Sequence, residues 1–377
     1  MIYLDHAATT PVPRPVADAM YQVLTEQFGN PSSQYPLGRE AKALVEDGRA
    51  VVAGALGCRP ENLHFTSCGT ESDNWAISAA VWQGRHTGRH IITTAVEHSA
   101  VLEPCRQLEQ EGYEVTYLKP DRTGHISAGQ VAEALREDTV LVSVMLVNNE
   151  TGCLFPVADI ARLLKERGSR ALLHCDAVQG FLKVPCNPAG WGVDLMSLSA
   201  HKIGGPKGIG ALYVRPDLRN LRPLLAGGGQ EEGLRSGTEA TAQIAGFAKA
   251  VALRQEGLEE KLAHMARIKA YCRERLLSIP GVVPVGGGEA PHILAVSLVG
   301  YPSANVINDL GSQGICLSAG SACHRGKASR GYAALGLDKR TAAGVLRLSF
   351  GPETTEGDID ALYEALLRHK NTRFSML

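Results

Sequence analysis

The sequence predicts an α/β protein with a mostly parallel sheet whose faces are covered by helices. Short β-branched or apolar runs alternate with helical patterns along the middle of the chain, as parallel sheets require. The predicted strands are residues 91–94, 140–147, 171–175, 194–199 and 209–214. The run at 140–147 reads VLVSVMLV, which is typical of a strand buried on both faces. Helical patterns lie between these strands, at 128–136 and 157–167 among others.

The last third of the chain predicts a second, smaller α/β unit. A helical pattern runs from 241 to 277, is interrupted at Gly257, and could link two domains. Further strands are predicted at 293–298, 315–317 and 346–350, with helices after Ser303 and Thr355. We therefore expect a large domain followed by a smaller C-terminal one. The first dozen residues show no pattern that assigns them to a helix or a strand.

The composition excludes several classes of function. The 377 residues include 38 Lys plus Arg and 39 Asp plus Glu, so the net charge is −1. This balance gives no bulk attraction to nucleic acid or to an anionic membrane. No apolar run approaches the roughly 18 residues of a membrane helix, and the start MIYLDH is unlike a signal peptide. We therefore expect a cytoplasmic protein.

The nine cysteines do not predict a disulfide framework or a metal site. Their number is odd, and no two form a C-x-x-C pair. Most are expected to be small buried hydrophobic residues. We expect no resident metal, and only Cys323 is considered as a transient ligand of an iron–sulfur cluster.

Polar side chains follow four of the predicted strands. They are His98, Asn149, Asp176 with Gln179, and the pair His201 and Lys202. One polar residue at a strand end is common and usually structural. Ligands of open parallel sheets, however, bind beyond the carboxyl ends of the strands, where these residues would meet.

Lys202 is the most informative of these residues. It lies in SAHK and precedes the glycine-rich GGPKGIG, where a lysine could simply be solvated. Beside a strand-end aspartate and a phosphate-binding turn, it instead indicates a Schiff base with pyridoxal phosphate. Asp176 would then pair with the pyridine nitrogen and keep it protonated, although a helix N-cap is the alternative reading of this aspartate.

A phosphate-binding turn is predicted at 66–72, which reads TSCGTES before a helical stretch. Small residues at a helix N-terminus expose backbone N–H groups that favour an anion. A capping box, from Ser67 to Thr70 or from Thr70 to Asp73, is the alternative. Ser199 and His201 could donate to the same phosphate. His98 could stack on a cofactor ring or act as an acid or base, although a single histidine is more often structural.

Cys323 and Arg347 are the remaining candidates. Cys323 lies in SAGSACHRG, where an adjacent His324 and Arg325 could lower the thiol pKa and make it nucleophilic. An incidental surface thiol is the alternative. Arg347 is charged within the apolar strand LRLSF and needs an anion. That anion is either a substrate carboxylate held by a bidentate fork or the partner of a structural salt bridge.

Taken together, the sequence resembles the cysteine desulfurase family, the NifS/IscS-like branch of class V, fold type I pyridoxal-phosphate enzymes. The resemblance covers essentially the whole chain. The matching motifs are YLDHAATTP at 3–11, GNPSS at 29–33, FTSCGTESDN at 65–74, EHSAV at 97–101, VNNETG at 147–152, CDAVQG at 175–180, SAHKIGGPKGIGALYVR at 199–215, GGGQEEGLRSGT at 227–238, SAGSAC at 318–323 and LRLSFG at 346–351.

The resemblance implies a large pyridoxal-phosphate-binding domain of residues 14–255, with a seven-stranded, mostly parallel sheet. It also implies a small domain, made of residues 1–13 and 256–377, that carries the cysteine loop at about 317–330. Roles follow for individual residues, and each applies to the position that matches the family motif. Lys202 would carry the cofactor, His98 would stack on its ring and act as acid or base, Asp176 would pair with the ring nitrogen and Gln179 with the ring hydroxyl. Gly69, Thr70, Ser199 and His201 would hold the phosphate, together with Thr238 from the partner subunit of a homodimer. Asn149 and Arg347 would position the substrate carboxylate.

In the implied reaction, Cys323 attacks the sulfur of bound L-cysteine, becomes a persulfide and leaves L-alanine. The sulfur would pass to an acceptor protein such as an iron–sulfur scaffold, or to another thio-cofactor pathway. The family often has Ser or Thr after this cysteine, where this chain has His324. The alternatives are a selenocysteine lyase or another class V aminotransferase-type enzyme, and an aminotransferase has no need of a mobile thiol.

Overall fold

The computed structural model describes residues 1–218, 220–320, 330–373 and 375. Its strands are β1 Ile2–Tyr3, β2 Leu63–Thr66, β3 His90–Thr94, β4 Glu114–Leu118, β5 Thr139–Ser143, β6 Leu172–Asp176, β7 Leu195–Ser199, β8 Gly210–Val214, β9 Val282–Pro284, β10 Ile293–Leu298, β11 Ile315–Cys316 and β12 Val345–Ser349. Its α-helices are α1 Arg14–Thr25, α2 Pro36–Leu56, α3 Gly69–Gly84, α4 Ser99–Gln110, α5 Ala128–Ala134, α6 Val157–Glu166, α7 Pro188–Trp191, α8 Thr241–Gln255, α9 Leu258–Leu277, α10 Ser303–Ser312, α11 Arg330–Ala334, α12 Lys339–Ala343 and α13 Glu356–Thr372. No helix in these described residues is both long and apolar enough to span a membrane.

Seven strands form the large sheet, in the order β2-β8-β7-β6-β5-β3-β4. The five adjacent strands β4, β3, β5, β6 and β7 are parallel to one another. Strand β8 runs antiparallel to both of its neighbours, β7 and β2. The prediction of a mostly parallel seven-stranded sheet is therefore confirmed. All five strands predicted in this region are present, but β2 and the half-buried edge strand β4 were not predicted.

The strand predicted at 140–147 ends early, at Ser143. The chain still runs beside β6 beyond that point, because the backbone N–H of Val144 donates to His174 and that of Leu146 donates to Asp176. The ladder becomes irregular, and the apolar residues remain buried. The apolar run thus predicted burial correctly and overestimated the length of regular pairing.

Helices cover the sheet as the alternating pattern predicts. Helix α3 packs across β5, β6, β7 and β8, while α1 and α2 both pack against α8. The break predicted at Gly257 separates α8 from α9, and this glycine has a φ of 57°, which favours a residue without Cβ. Helix α9 then packs against α13, away from the large sheet.

A separate apolar cluster forms around the three-stranded antiparallel sheet β12-β10-β9. The short β1 pairs in parallel with β11, so the start of the chain is attached to its last third. Leu4 belongs to this second cluster, whereas Ala7 belongs to the cluster of the large sheet. We call residues 4–13 the N-terminal strap, because they cross from one apolar cluster to the other.

A buried ion pair fixes the segment that carries Thr238. Arg49 on α2 donates to both carboxylate oxygens of Glu231, at 2.7 and 2.9 Å. The backbone N–H of Phe65 donates to the same carboxylate at 2.9 Å. The Glu231 side chain is 3% exposed and that of Arg49 is 10% exposed, so solvent screens this pair little.

We therefore expect Glu231→Ala to lower the free energy of unfolding by about 3 kcal/mol, because the largely buried guanidinium of Arg49 keeps only the exposed Glu46 as an anionic partner. Urea unfolding followed by circular dichroism measures this loss. Glu232→Ala is the matched control, since Glu232 is exposed and shares the positive φ of its neighbour. Equal unfolding free energies for the two variants would show that the ion pair contributes nothing.

Candidate active site

A cavity of about 280 Å³ lies beyond the carboxyl ends of the parallel strands. Most of the predicted site residues line it: Gly69, Thr70, His98, Asn149, Asp176, Gln179, Ser199, His201, Lys202 and Arg347. The strand ends bring them together, because β3, β5, β6 and β7 all point toward this edge of the sheet. Two predicted site residues are not part of this lining. Thr238 is exposed, and Cys323 lies outside the described residues.

Lys202 occupies the last position of a 3-10 turn that follows β7. Its Nζ donates to the backbone carbonyls of Ala7 and Ala8 in the strap, at 2.7 and 2.8 Å. The reading of a merely solvated lysine is therefore wrong. These two neutral acceptors hold the amino group at the cavity wall.

Asp176 ends β6 and is buried. One carboxylate oxygen accepts from the backbone N–H of Val178 at 2.9 Å, which closes a turn, and no helix of the described residues begins there, so the helix N-cap considered for this aspartate is wrong. Burial raises the pKa of Asp176, while the nearby His98 and Lys202 lower it. The carboxylate thus accepts a hydrogen bond from the turn that follows β6 and also lines the cavity.

Two buried acids beside Asp176 were missed by the sequence analysis. Asp73 on α3 lines the cavity, with Oδ1 at 3.5 Å from Nε2 of His174. Burial, and then repulsion from Asp176, raise the pKa of Asp73 well above its usual value. Glu97 lies behind the cavity, and burial raises its pKa to about 8. A carboxylate next to a buried strand, as in the VEH after β3, was the available signal.

The two histidines of the site both take part in hydrogen bonds. His98 is the N-cap of α4, and its Nδ1 accepts from the backbone N–H of Ala100 at 3.2 Å. In the neutral ring the proton therefore resides on Nε2. His201 contacts the Thr9 hydroxyl through Nδ1 at 3.1 Å. Burial, reinforced by Lys202, lowers the pKa of His201 to about 3.

The N-terminus of α3 is open toward the cavity. Its N-cap residue is Cys68, whose side chain accepts no hydrogen bond from the first turn. Both predicted capping boxes are therefore wrong, because Ser67 bonds Glu71 instead. The N–H groups of the first turn and the helix dipole favour an anion at this place.

Two further observations fit a phosphate at this turn. The Oγ of Ser199 is buried and has no hydrogen-bond partner among the described residues. A Cβ on Gly69 would lie 2.8 Å from Cγ2 of Val178, so only glycine fits the close approach of the turn to the sheet. Together with the open helix end, these donors and this shape suit the phosphate group of the cofactor that the sequence predicts.

Arg347 supports both interpretations that the sequence left open. One terminal nitrogen donates to Asp5 at 2.8 Å and the other donates to the carbonyl of Asn149 at 2.8 Å, so a structural salt bridge is present. Its Nε is buried with no partner among the described residues, and the side chain lines the cavity. The neighbouring Asn148 is structural, since its amide oxygen accepts from Glu150 and Thr151.

Two hydrogen bonds to other parts of the protein fix the side chain of Gln179 at the cavity wall. Its amide donates to the carbonyl of Ala7 at 2.8 Å, and its oxygen accepts from Nζ of Lys183 at 3.1 Å. The second amide hydrogen remains for a group in the cavity. Gln179 thus joins the strap to a buried lysine that the sequence analysis did not single out.

Comparison with known proteins decides the family. The model of the family described as Aminotransferase class-V matches residues 2–362. Cysteine desulfurase IscS of Methanosarcina thermophila is 38% identical over 97% of this chain and 91% of its own length. The chain belongs to the cysteine desulfurase family of class-V aminotransferases. Its predicted membership is confirmed.

Solved structures agree with this family. A structure described as NIFS-LIKE PROTEIN superimposes with a TM-score of 0.93 at 36% identity, covering 99% of this chain and 100% of that one. Another, described as SspA in complex with cysteine, has a TM-score of 0.82 at 35% identity and covers 94% of this chain and 100% of its own. The predicted fold type I architecture is confirmed by these likenesses.

The raised pKa of Glu97 makes the stability of the protein depend on pH. The folded state keeps the proton up to about pH 8, whereas the same carboxyl group in the unfolded chain, with its ordinary pKa of 4.5, loses the proton at much lower pH. The contribution of this group to stability is therefore lost as the pH rises from 4.5 to 8. Its Oε1 accepts from Thr94 and from the backbone of Met145, and a glutamine can keep both bonds.

We expect Glu97→Gln to gain stability over the parent chain as the pH rises from about 5 to about 8, by about 1.4 kcal/mol per pH unit. Urea unfolding at several pH values measures the difference in unfolding free energy between the two proteins. The contributions of the other acidic groups are the same in both proteins and cancel in this difference. Glu274→Gln on the exposed face of α9 is the control and should give a constant difference. A pH-independent difference for Glu97→Gln would mean that this carboxyl is ionised in the folded state.

Proposed function

We propose that this chain is a pyridoxal-phosphate-dependent cysteine desulfurase, which converts L-cysteine to L-alanine and takes up the sulfur as a persulfide on Cys323. One observation carries the proposal. The amino group of Lys202, the buried carboxylate of Asp176 and the open N-terminus of α3 converge on a single cavity. The family membership and the cysteine complex of a solved relative support the substrate.

The residues present fit the cofactor. The α3 N-terminus at Gly69 and Thr70 would hold its phosphate together with Ser199 and His201, and Asp176 would face its ring nitrogen. Gln179 would contact the ring hydroxyl and His98 would lie against the ring. When bound through Lys202, pyridoxal phosphate supplies an electron sink for negative charge that develops at the substrate Cα.

The protein's own groups then position the substrate and move the proton. Arg347, with Asn149 beside it, would hold the substrate carboxylate through the part of its guanidinium that Asp5 does not occupy. The Nζ of Lys202, once free, would remove the Cα proton, and protons would be returned first to Cβ and finally to Cα to give alanine. The Nε2–H of His98 would be donated toward the reacting groups, because Nδ1 accepts from the first turn of α4.

Cys323 would act as the nucleophile toward the substrate sulfur. A bond forms between its Sγ and the sulfur of cysteine, and the Cβ–S bond breaks with its electron pair left on carbon, where protonation gives alanine. The backbone of Ser318 pairs with that of Arg347 through two hydrogen bonds, so the chain leading to Cys323 starts at the cavity wall. Five residues can extend about 17 Å from that pair, which is enough to reach the cavity.

The remaining assignments are also proposals. We propose a cytoplasmic homodimer with boundaries between the large and small domains near residues 13 and 255, supported by the separate apolar clusters and the break at Gly257. Exposed Tyr21, Leu24, Phe28 and Tyr35 form a run of large apolar residues that would suit a subunit interface. An iron–sulfur scaffold is the proposed sulfur acceptor.

The decisive assay incubates the purified protein with L-cysteine and an excess of a thiol reductant. Each turnover should yield one alanine and one sulfide, since the reductant releases the sulfur from the persulfide. We expect Cys323→Ala to lose this turnover by more than about 100-fold, because no thiol remains to accept the sulfur. Alanine and sulfide are quantified separately.

Cys58→Ala is the matched control, as Cys58 lies at the end of α2, away from the cavity, and its thiol pKa is raised to about 12 by burial. It should retain turnover. Lys202→Ala should lose turnover together with the visible absorbance of the lysine-bound cofactor. Sustained production of alanine and sulfide by Cys323→Ala would contradict the persulfide mechanism.

The proposed role of Thr238 at the partner's cavity predicts complementation between inactive chains. We expect a mixture of Lys202→Ala and Thr238→Val chains, unfolded and reassembled together, to recover about half of the parent activity per mixed dimer. One of its two sites would combine an intact Lys202 with the intact Thr238 of the other chain. The rate is measured on mixed dimers isolated by two different affinity tags.

The matched control places both substitutions on one chain and pairs it with the parent chain. In that dimer, neither site combines both intact residues, so activity should stay below that of the first mixture. Equal activity of the two mixed dimers would show that Thr238 serves neither cavity, and greater activity of the control dimer would show that it serves the cavity of its own chain.

A further inference from the structure

A second cavity, of about 520 Å³, lies on the other side of the N-terminal strap. Lys202 belongs to the lining of both cavities, while Ala7 and Ala8 of the strap face the first and Thr10 and Pro11 face the second. The larger cavity is therefore separate from the proposed substrate site, although the two share a wall.

Three buried basic side chains line the inner part of this cavity: Lys183, Arg254 and His292. Lys183 is 4% exposed, Arg254 is 9% exposed and His292 is 1% exposed. They lie close enough to influence one another, because Lys183 and Arg254 both lower the pKa of His292 after the larger effect of burial. The pKa of Lys183 is itself lowered by burial and then by Arg254.

None of the three has an anionic partner among the described residues. Lys183 donates to the neutral amide oxygen of Gln179. Arg254 contacts the carbonyl of Leu182 at 3.3 Å and the sulfur of Met265 at 3.7 Å. Neither ring nitrogen of His292 has a hydrogen-bond partner in the described part of the chain.

Basic groups that lack hydrogen-bond or ionic partners are expensive to bury. A buried cation needs a nearby anion or several hydrogen bonds, and an imidazole with two unsatisfied nitrogens loses its hydration without compensation. The carboxylate of Glu353 also lines the cavity, but its side chain is 62% exposed and lies 3.4 Å from His6. The inner basic groups therefore face the cavity with donors available to an anion.

The walls determine which kind of anion fits. Ala250, Leu253, Phe350 and Pro352 give the cavity apolar sides, and its volume exceeds what a hydrated inorganic ion needs. We propose that this cavity binds a small organic carboxylate, with its charged end against Lys183, Arg254 and His292 and its apolar body against these walls. The site is distinct from the one that holds the substrate in the proposed desulfurase reaction.

Occupancy would be transmitted to the first cavity through existing hydrogen bonds. Lys183 donates to Gln179, which in turn donates to Ala7, one of the two carbonyl acceptors of Lys202. A carboxylate that draws Lys183 toward the second cavity competes with the Gln179 bond. The two cavities are thus connected by a continuous chain of polar contacts.

The test is isothermal titration calorimetry of the cofactor-loaded protein with sodium benzoate as the probe. We expect one site per chain, and affinity reduced about tenfold or more by His292→Leu and by Arg254→Met, since each removes a donor to the carboxylate. Sodium sulfate, which has charge without an apolar body, and benzyl alcohol, which has the body without the charge, should each bind at least about tenfold more weakly.

Lys249→Met is the matched control, because Lys249 is a lysine on the same helix as Arg254 that lies outside the lining of this cavity. It should bind benzoate as the parent does. His292→Leu keeps the fold testable, since the histidine makes no side-chain hydrogen bond in the described structure and the change should not lower the melting temperature. The proposal is overturned if benzoate does not bind, if sulfate or benzyl alcohol binds as tightly, or if His292→Leu and Arg254→Met both keep the parent affinity.

Discussion

The hydrogen bonds from Lys202 to the carbonyls of Ala7 and Ala8 are the contacts on which the arrangement of the site depends. They attach the end of β7 to the N-terminal strap. The strap is held on its other side by the C-terminal part of the chain, where Ser349 accepts from the backbone N–H of Ala7 and Arg347 pairs with Asp5. The position of the lysine therefore depends on the packing of both apolar clusters, and not on its own turn alone.

The same strap separates a region of buried acidic side chains from a region of buried basic ones. Asp73, Glu97 and Asp176 lie at or behind the smaller cavity, whereas Lys183 and Arg254 lie behind the larger one. A net charge of −1 gives no sign of this separation. Total charge describes how a protein meets distant polyanions, while burial and local partners determine which small ions its interior can hold.

The sequence was sufficient to predict the sheet and most of the cavity, because both depend on simple rules. Apolar runs predicted the inner strands, and the carboxyl ends of parallel strands must meet at one edge, which brought together His98, Asp176 and Lys202. The break between the helices at Gly257 was also predictable, since glycine permits the positive φ that ends a helix. Confirmation of the family also shows that separate motifs in a fixed order identify a fold more securely than any one of them.

The features that sequence reasoning missed all depend on contacts between distant segments. Nothing near Glu231 indicates that Arg49, far away in the chain, will enclose it. The pairing of β1 with β11 was hidden because two residues show no periodicity. Likewise, local patterns left Arg347 between two roles, and only its placement beside Asp5, with Nε unpaired among the described residues, shows that the side chain can combine them.

The charge state of the site depends on Asp73 and Asp176, two aspartates that both line the cavity. Asp73 and Asp176 are both buried, and repulsion between neighbouring carboxylates means that both are ionised only at a high cost. Burial raises the pKa of each, but His98 and Lys202 lower that of Asp176, whereas Asp176 itself raises that of Asp73. Asp73 therefore holds a proton more readily than Asp176, the residue at the strand end that faces the cavity.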